Sequence, residues 1–328
     1  MKLIRTVVVL LYATMCVASG GVVQAQLTDC REVVTIRNGD SLKKLSNDFY
    51  GSDTYDRAIL LATNSETGSS SESGFRYISD PYKLPVGGRA CIPPQRTADE
   101  LRVIEDTYRA AVAEMVLPTP SDVSDALVSI DMNHPIRLVT WKPANQLALW
   151  KNPDGSWKTE AASDIWVTVV PRLKSFCQAF VKAHHSTAAE LSSRIEQRLG
   201  LPPGSNNDVF VEMTIKEPFR YGNLFRPCIN PSVAAKTCQL GPFPEPLPED
   251  ISEKHRAWIY GQYYNSYAVA EPNQYPWTAL GYTFDWAADE TGRSRFVRVG
   301  ESEFVVPKGA SIEISGSPIP TAEYCSVQ

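Results

Sequence analysis

Six cysteines, Cys30, Cys91, Cys177, Cys228, Cys238 and Cys325, remain in this 328-residue chain once its first segment is set aside, and their even number is the tightest constraint on its fold. That segment reads Met1-Lys2-Leu3-Ile4-Arg5, then an apolar run from Thr6 to Val17, then small residues leading to Val23-Gln24-Ala25. A positive start, a short apolar stretch and a small-residue cleavage site describe a secretory signal peptide over 1–25, which would carry off the seventh cysteine, Cys16. The apolar run is too short to cross a bilayer comfortably. Met15, just before Cys16, argues against a lipid anchor there. In an exported chain an even cysteine count indicates disulfides, whereas structural zinc wants close pairs such as C-x2-C, which are absent. The expectation is an exported envelope protein, periplasmic or extracellular and wall-associated, with no transmembrane segment in the mature chain.

Charge narrows the partners. Lys and Arg number 32 against 37 Asp and Glu, a net charge of -5, and no stretch concentrates the basic residues as a nucleic-acid footprint requires. A 43% hydrophobic share in a chain of this length suits globular protein in two domains.

From Glu32 to Ile36 the β-branched run predicts a strand, which Asn38-Gly39-Asp40 breaks. Ser41 can cap a helix with Leu42, Leu45 and Phe49 at helical spacing, stopped by Tyr50-Gly51. A second helix is predicted over 54–63, with Tyr55, Ala58, Ile59 and Ala62 on one face. Ser65 to Gly74 reads as a loop, and Ala90 to Ile92 as a closing strand before Pro93-Pro94. The order is βααβ, which sets Cys30 beside Cys91 on adjacent strands. Cys228 and Cys238 flank a short proline-containing loop, leaving Cys177 for Cys325, although four remaining cysteines permit three connectivities.

Val34-Thr35-Ile36, Asn38-Gly39-Asp40-Ser41-Leu42, Phe49-Tyr50-Gly51, Ile59 with Ala62, and Leu84-Pro85-Val86-Gly87 leading into Cys91-Ile92-Pro93 resemble the LysM pattern in order and spacing. Two departures stand out. The Asn usually beside the alanine of the second helix is Thr63 here, followed by Asn64, and the 65–76 stretch is longer than in most LysM modules. The resemblance implies a peptidoglycan- or chitin-binding unit over 30–94, with a sugar groove between Gly39, Asp40 and Ser41 on one side and Ile78, Ser79, Asp80, Pro81 and Tyr82 on the other. Gly39-Asp40-Ser41 also suits a plain turn and helix cap.

Beyond it, a connecting helix is expected over 97–116, with Leu101, Ile104, Tyr108, Ala111 and Met115 at helical intervals, and a proline-bearing linker over 117–127. The remainder, 128–328, reads as a larger, mainly antiparallel, disulfide-stapled α+β domain. Strands are predicted at 136–141, 165–170 and 209–215, helices at 172–183 and 187–199, and a loop at 241–250. The last third, from Trp258 to Ser315, is rich in aromatics and broken by Gly and Pro, which suggests antiparallel sheet. Ile165-Trp166-Val167-Thr168, Leu224-Phe225-Arg226-Pro227-Cys228 and the run Tyr275 to Trp286 resemble an uncharacterised group of secreted bacterial proteins, which implies no activity.

Candidate chemistry in this domain is thin, and the reading assigns no catalytic residue, metal or cofactor. Cys177 has a helical setting and apolar neighbours Phe176 and Phe180, which suit a disulfide better than a nucleophile. His134, His184, His185 and His255 show no metal-ligand spacing. Glu301 and Glu303 invite comparison with the acid of a wall-cleaving glycosidase, but strand alternation between Phe296-Val297 and Phe304-Val305 predicts solvent-facing acids. The aromatics from Trp258 to Trp286 read mainly as core, with one face open to a ligand or an envelope protein partner. The favoured reading is a non-catalytic binder of peptidoglycan or a related N-acetylglucosamine glycan. A LysM-targeted wall hydrolase and a protein-interaction module are the alternatives.

Overall fold

The computed structural model describes residues 29–68, 74–131, 133–216, 223–241, 247–269, 273–314 and 316–327. The leader reading falls outside these residues, as does part of the 65–74 loop and of the proline-rich loop at 241–250. The chain is α+β, and every pairing between its strands is antiparallel. Among the described residues no helix is long and apolar enough to cross a membrane.

The N-terminal unit runs β1 (Glu32–Thr35), α1 (Leu42–Tyr50), α2 (Asp56–Ser65) and β2 (Arg89–Ile92), in the predicted order βααβ. Ser41 accepts the Lys44 amide and starts α1, and Gly51, at φ 70, ends it in a left-handed turn that glycine adopts without steric cost. Val33 lies opposite Cys91 across β1 and β2, and Cys30 is bonded to Cys91. Ile36, Leu42, Leu45, Ile59 and Ile92 close the small core beneath.

Helix α3 (Gln95–Met115) does not stand free, because its Tyr108, Ala111, Val112 and Met115 pack on Phe284, Trp286 and Phe296 of the second unit. The connection over 117–127 is correspondingly not an extended spacer. Thr119 and Asp122 close a turn, Asp122 is buried against Arg298, and Leu127 enters the core beside Cys228 and Cys238.

The second unit is built on a sheet ordered β10 (Ile319–Pro320), β5 (Val209–Ile215), β3 (Ile136–Lys142), β4 (Ile165–Val169) and β8 (Phe304–Val306), with β9 (Glu313–Ile314) also paired to β5. Strand alternation divides its side chains between two cores. Leu138, Ile165, Val167, Met213 and Phe304 fill one face, and Val139, Trp141 and Phe210 pack on the other against α4 (Arg172–His184), α5 (Ala188–Arg198) and α7 (Thr321–Tyr324). Cys177 of α4 is bonded to Cys325 just after α7, and Cys228 to Cys238, so all three disulfides join the expected partners.

Two sequence expectations fail here. Trp258 to Tyr267, expected in sheet, belongs to α6 (Glu253–Tyr267), which Ser252 caps by accepting the His255 amide. Tyr260, Tyr263, Tyr264 and Tyr267 recur at intervals of three and four, the period of a helix rather than a strand. Among the described residues there, β6 (Tyr282–Ala288) and β7 (Phe296–Ser302), a bulged hairpin, and β8 and β9 carry the expected sheet pattern. The second failure concerns Glu301, which is 1% exposed rather than solvent-facing. Arg198 donates to its carboxylate at 2.9 Å and Arg172 lies 3.6 Å away, in a network that also pairs Asp285 with Arg194 and ties α4 and α5 to the hairpin.

Candidate functional site

The groove residues inferred from the LysM resemblance make turns. The Asp40 carboxylate accepts from the Arg37 amide at 2.8 Å and pairs with Lys44 at 2.6 Å, which hold its pKa below the usual value. Ser41 caps α1, and Gly39, at φ 85, supplies the left-handed turn before it. On the other side Asp80 accepts the Tyr82 amide and pairs with Lys83, while Ser79 offers its carbonyl to Asn273 at 3.3 Å. Ile78 and Pro81 are buried, whereas Tyr82 is 75% exposed. Asn64, not the adjacent Thr63, braces this loop: its amide group bonds both the N–H and the carbonyl of Ile78, at 2.7 and 3.1 Å.

A larger feature lies where the two units meet. A cavity of about 1000 Å³ opens over the face of the main sheet that carries Val139, Trp141, Trp166 and Thr168. Its volume sits at the top of the roughly 300–1,000 Å³ range of small-molecule sites, room for an oligomer rather than a single ring. The N-terminal unit supplies one wall through Thr67, Phe75 and Tyr77, and the segment from Tyr275 to Trp277 supplies another. Asn206 fastens the seam by donating to the Asn64 carbonyl at 2.8 Å and to Thr67 at 3.3 Å. Asn206→Ala is therefore expected to lower stability by about 1–2 kcal/mol and to speed amide hydrogen exchange around 64–67 more than in the main sheet, which hydrogen-exchange mass spectrometry would detect.

Polar atoms without protein partners gather on this cavity. The Thr168 hydroxyl, the Trp277 indole Nε1 and Glu303 Oε2 are each buried with no hydrogen-bond partner among the described residues. Thr168 and Trp277 are 5% and 6% exposed, and all three residues line the cavity. A buried donor left unmatched costs about 1–3 kcal/mol, so such atoms mark places built for a ligand or for ordered water. The register explains their meeting: Trp166 lies opposite Val305 and Val167 opposite Phe304, and one further step sets Glu303 opposite Thr168.

The electrostatics differ along the floor. Burial pushes the Glu303 carboxyl up to about 8, tempered by Arg226 through space. The Arg226 guanidinium is itself fully buried and donates to the carbonyls of Val128, Gly281, Ser232, Val233 and Ala235, so it forms no ion pair with Glu303. At the opposite end burial depresses the pKa of Lys142, and it raises that of Asp208 despite the hydrogen bond from the Ala144 amide. Three residues along β3 and two strand spacings put the Lys142 end about 14 Å from Glu303.

Sequence reasoning missed this site. Alternation did place Glu303 off the apolar face of its strand, and the residue is partly exposed, but its side faces a cavity that Gln262 of α6, the 275–277 segment and the N-terminal unit also line. Thr168 and Lys142 gave no signal, being ordinary strand residues, and Trp277 stood out only within the aromatic run. No family model, curated protein or solved structure matches the chain. Among the described residues no group of three or more His, Cys, Asp and Glu side chains is placed to hold a metal.

Proposed function

We propose that this is an exported cell-envelope protein that binds an N-acetylglucosamine glycan, held mainly in the cavity between its two units rather than in the turns of the N-terminal unit alone. The observation that carries the reading is the meeting of unmatched buried polar atoms of Thr168, Trp277 and Glu303 with the rings of Trp141, Trp166 and Tyr275 on one cavity. Sugars with an acetamide need that mixture, apolar ring faces to stack on and a few fixed groups to match amide and hydroxyls. The LysM-like residues of 30–94 support the same ligand class, and the unit that bears them forms one wall of the cavity. Three disulfides suit an oxidising compartment.

The test is a titration of the full chain with N-acetylglucosamine oligomers of two to six units, followed by tryptophan fluorescence, with cello-oligomers as the control lacking the acetamide. Binding should strengthen with length to at least three units and be absent for cello-oligomers. Trp277→Phe and Thr168→Val, each removing one donor, should weaken it about fivefold, since a net hydrogen bond is worth about 1 kcal/mol. Tyr82→Ala with Asp80→Ala should leave it within twofold. A loss confined to that last variant would return the site to the N-terminal groove, and no binding by the wild-type chain would end the reading.

A further inference from the structure

Resting on that reading of the cavity, we infer that the protein also cleaves the glycan it holds, with Glu303 as the proton donor to the glycosidic oxygen and the substrate's own acetamide as the nucleophile.

Glu303 is placed for an acid. Its side chain makes no hydrogen bond or ion pair among the described residues, Oε2 is buried, and the residue lines the cavity. An unpaired carboxylate in such surroundings is costly, so the neutral acid is the stable form, and a carboxyl near 8 carries its proton at neutral pH. Arg226 does not undo this, because five backbone carbonyls occupy its donors. The chain segment facing Glu303 is fixed as well: the Glu303 amide donates to the Gly281 carbonyl at 2.9 Å, and Ala279, two residues from Trp277, holds a left-handed φ of 53. Non-glycine residues keep that conformation only where packing enforces it.

A glycosidase ordinarily sets a second carboxylate about 5–10 Å from its acid. Among the described residues the only other carboxylate that lines the cavity is Asp208. Glu301 is paired with Arg198, and Asp208 sits beyond Lys142 at the far end of the cavity. The second role therefore falls to the 2-acetamido group of the bound sugar, as in substrate-assisted hydrolysis. The Glu303 proton passes to the bridging oxygen, the C1–O bond breaks with its electron pair kept by the leaving sugar, and the acetamide carbonyl oxygen bonds to C1 as a cyclic oxazolinium. Water then adds at C1, the ring reopens to the acetamide, and the water's proton returns to the Glu303 carboxylate. The net change is one glycosidic bond hydrolysed by one water.

The full chain is to be incubated with N-acetylglucosamine pentamer and hexamer in ¹⁸O-water, with products read by mass spectrometry and binding read separately by tryptophan fluorescence. Wild type should release shorter oligomers carrying one ¹⁸O at the new reducing end, and should leave cellohexaose intact. Glu303→Gln, close in size and shape, should bind the oligomers within threefold yet cleave them at least a hundredfold more slowly. On a p-nitrophenyl glycoside of the dimer, whose leaving group needs no proton, the same variant should lose less than tenfold. A merely structural role for Glu303 would depress both substrates alike. Binding without cleavage by the wild type overturns this inference and leaves the proposed function standing, equal cleavage by Glu303→Gln overturns the assignment of the acid, and absence of binding overturns both.

Discussion

Replacing Arg226 with methionine is expected to lower the protein's stability by about 2–6 kcal/mol, although no carboxylate pairs with the residue directly. Its guanidinium reaches the carbonyls of Val128, Gly281, Ser232, Val233 and Ala235, at 2.6 to 3.4 Å, and lies 4.5 Å over the Phe304 ring. These carbonyls belong to three separate segments, so one side chain closes the junction between the start of the second unit, the Cys228–Cys238 loop and the β6 hairpin. Methionine matches the stem but donates nothing. The Gly281, Ser232 and Val233 carbonyls keep the amides of Glu303, Ala235 and Ile130, but those of Val128 and Ala235 lose the guanidinium donor, at about 1–3 kcal/mol each, out of the roughly 5–15 kcal/mol that a domain has in all. Lysine keeps the charge but not the planar fork, and should recover only part of the loss. Urea denaturation of both variants beside wild type measures it. A midpoint for the methionine variant within a few tenths molar of wild type would mean that water satisfies these carbonyls.

Arg226 also shows which part of such a molecule a sequence discloses. Local order was legible because it depends on neighbours in the chain: the βααβ unit follows from Ser41, Gly51 and the spacing of Leu42, Leu45 and Ile59. The disulfides were legible because six cysteines leave few sensible pairings once two strands are adjacent. Trp258 to Tyr267 was misread through aromatic composition, although the spacing of its tyrosines carried the helical period. Neither the Arg226 cage nor the cavity was legible at all. Alternation tells which side of a strand Glu303 occupies, but whether that side meets water depends on α6 and on a wall from residues more than two hundred positions earlier. Strand order raises the same difficulty. β8 pairs with β4 from across the sequence, and nothing in either strand names the other.

Stability should fall as pH rises from about 6.5 to 8.5, contrary to the usual behaviour of paired carboxylates. Burial pushes the Glu303 carboxyl up to about 8 and that of Glu196 up to about 7, from an ordinary 4.5. For Glu196 burial outweighs the Gly204 and Ser205 amides and the Ser205 hydroxyl, all of which donate to it. Both groups hold protons more tightly in the folded chain than in the unfolded one. Their contribution is thus fully present below about pH 4.5 and is lost as pH climbs through 7 and then 8. While the folded forms remain protonated and the unfolded ones do not, each group costs up to about 1.4 kcal/mol per pH unit. His255 works in the opposite direction, since burial lowers its pKa and makes folding favour the neutral ring, but that gain is complete once the unfolded imidazole loses its proton near 6.5. Above 6.5 the two carboxyls pull against Lys142, whose pKa burial lowers and whose contribution rises with pH. The melting temperature should drop by about 4–5 °C between pH 6.5 and 8.5, and Glu196→Gln with Glu303→Gln together should flatten the slope. A melting temperature that is level or rising over that interval in wild type would mean that both carboxyls are already ionised at neutral pH. The location of the first loosening separates the two groups, because the turn that Glu196 holds at Gly204 and Ser205 continues into Asn206 and the seam with the N-terminal unit. Ionisation of Glu196 should therefore raise amide exchange at 204–206 and 64–67 before the main sheet responds, whereas ionisation of Glu303 should act at β8 and the 279–281 turn.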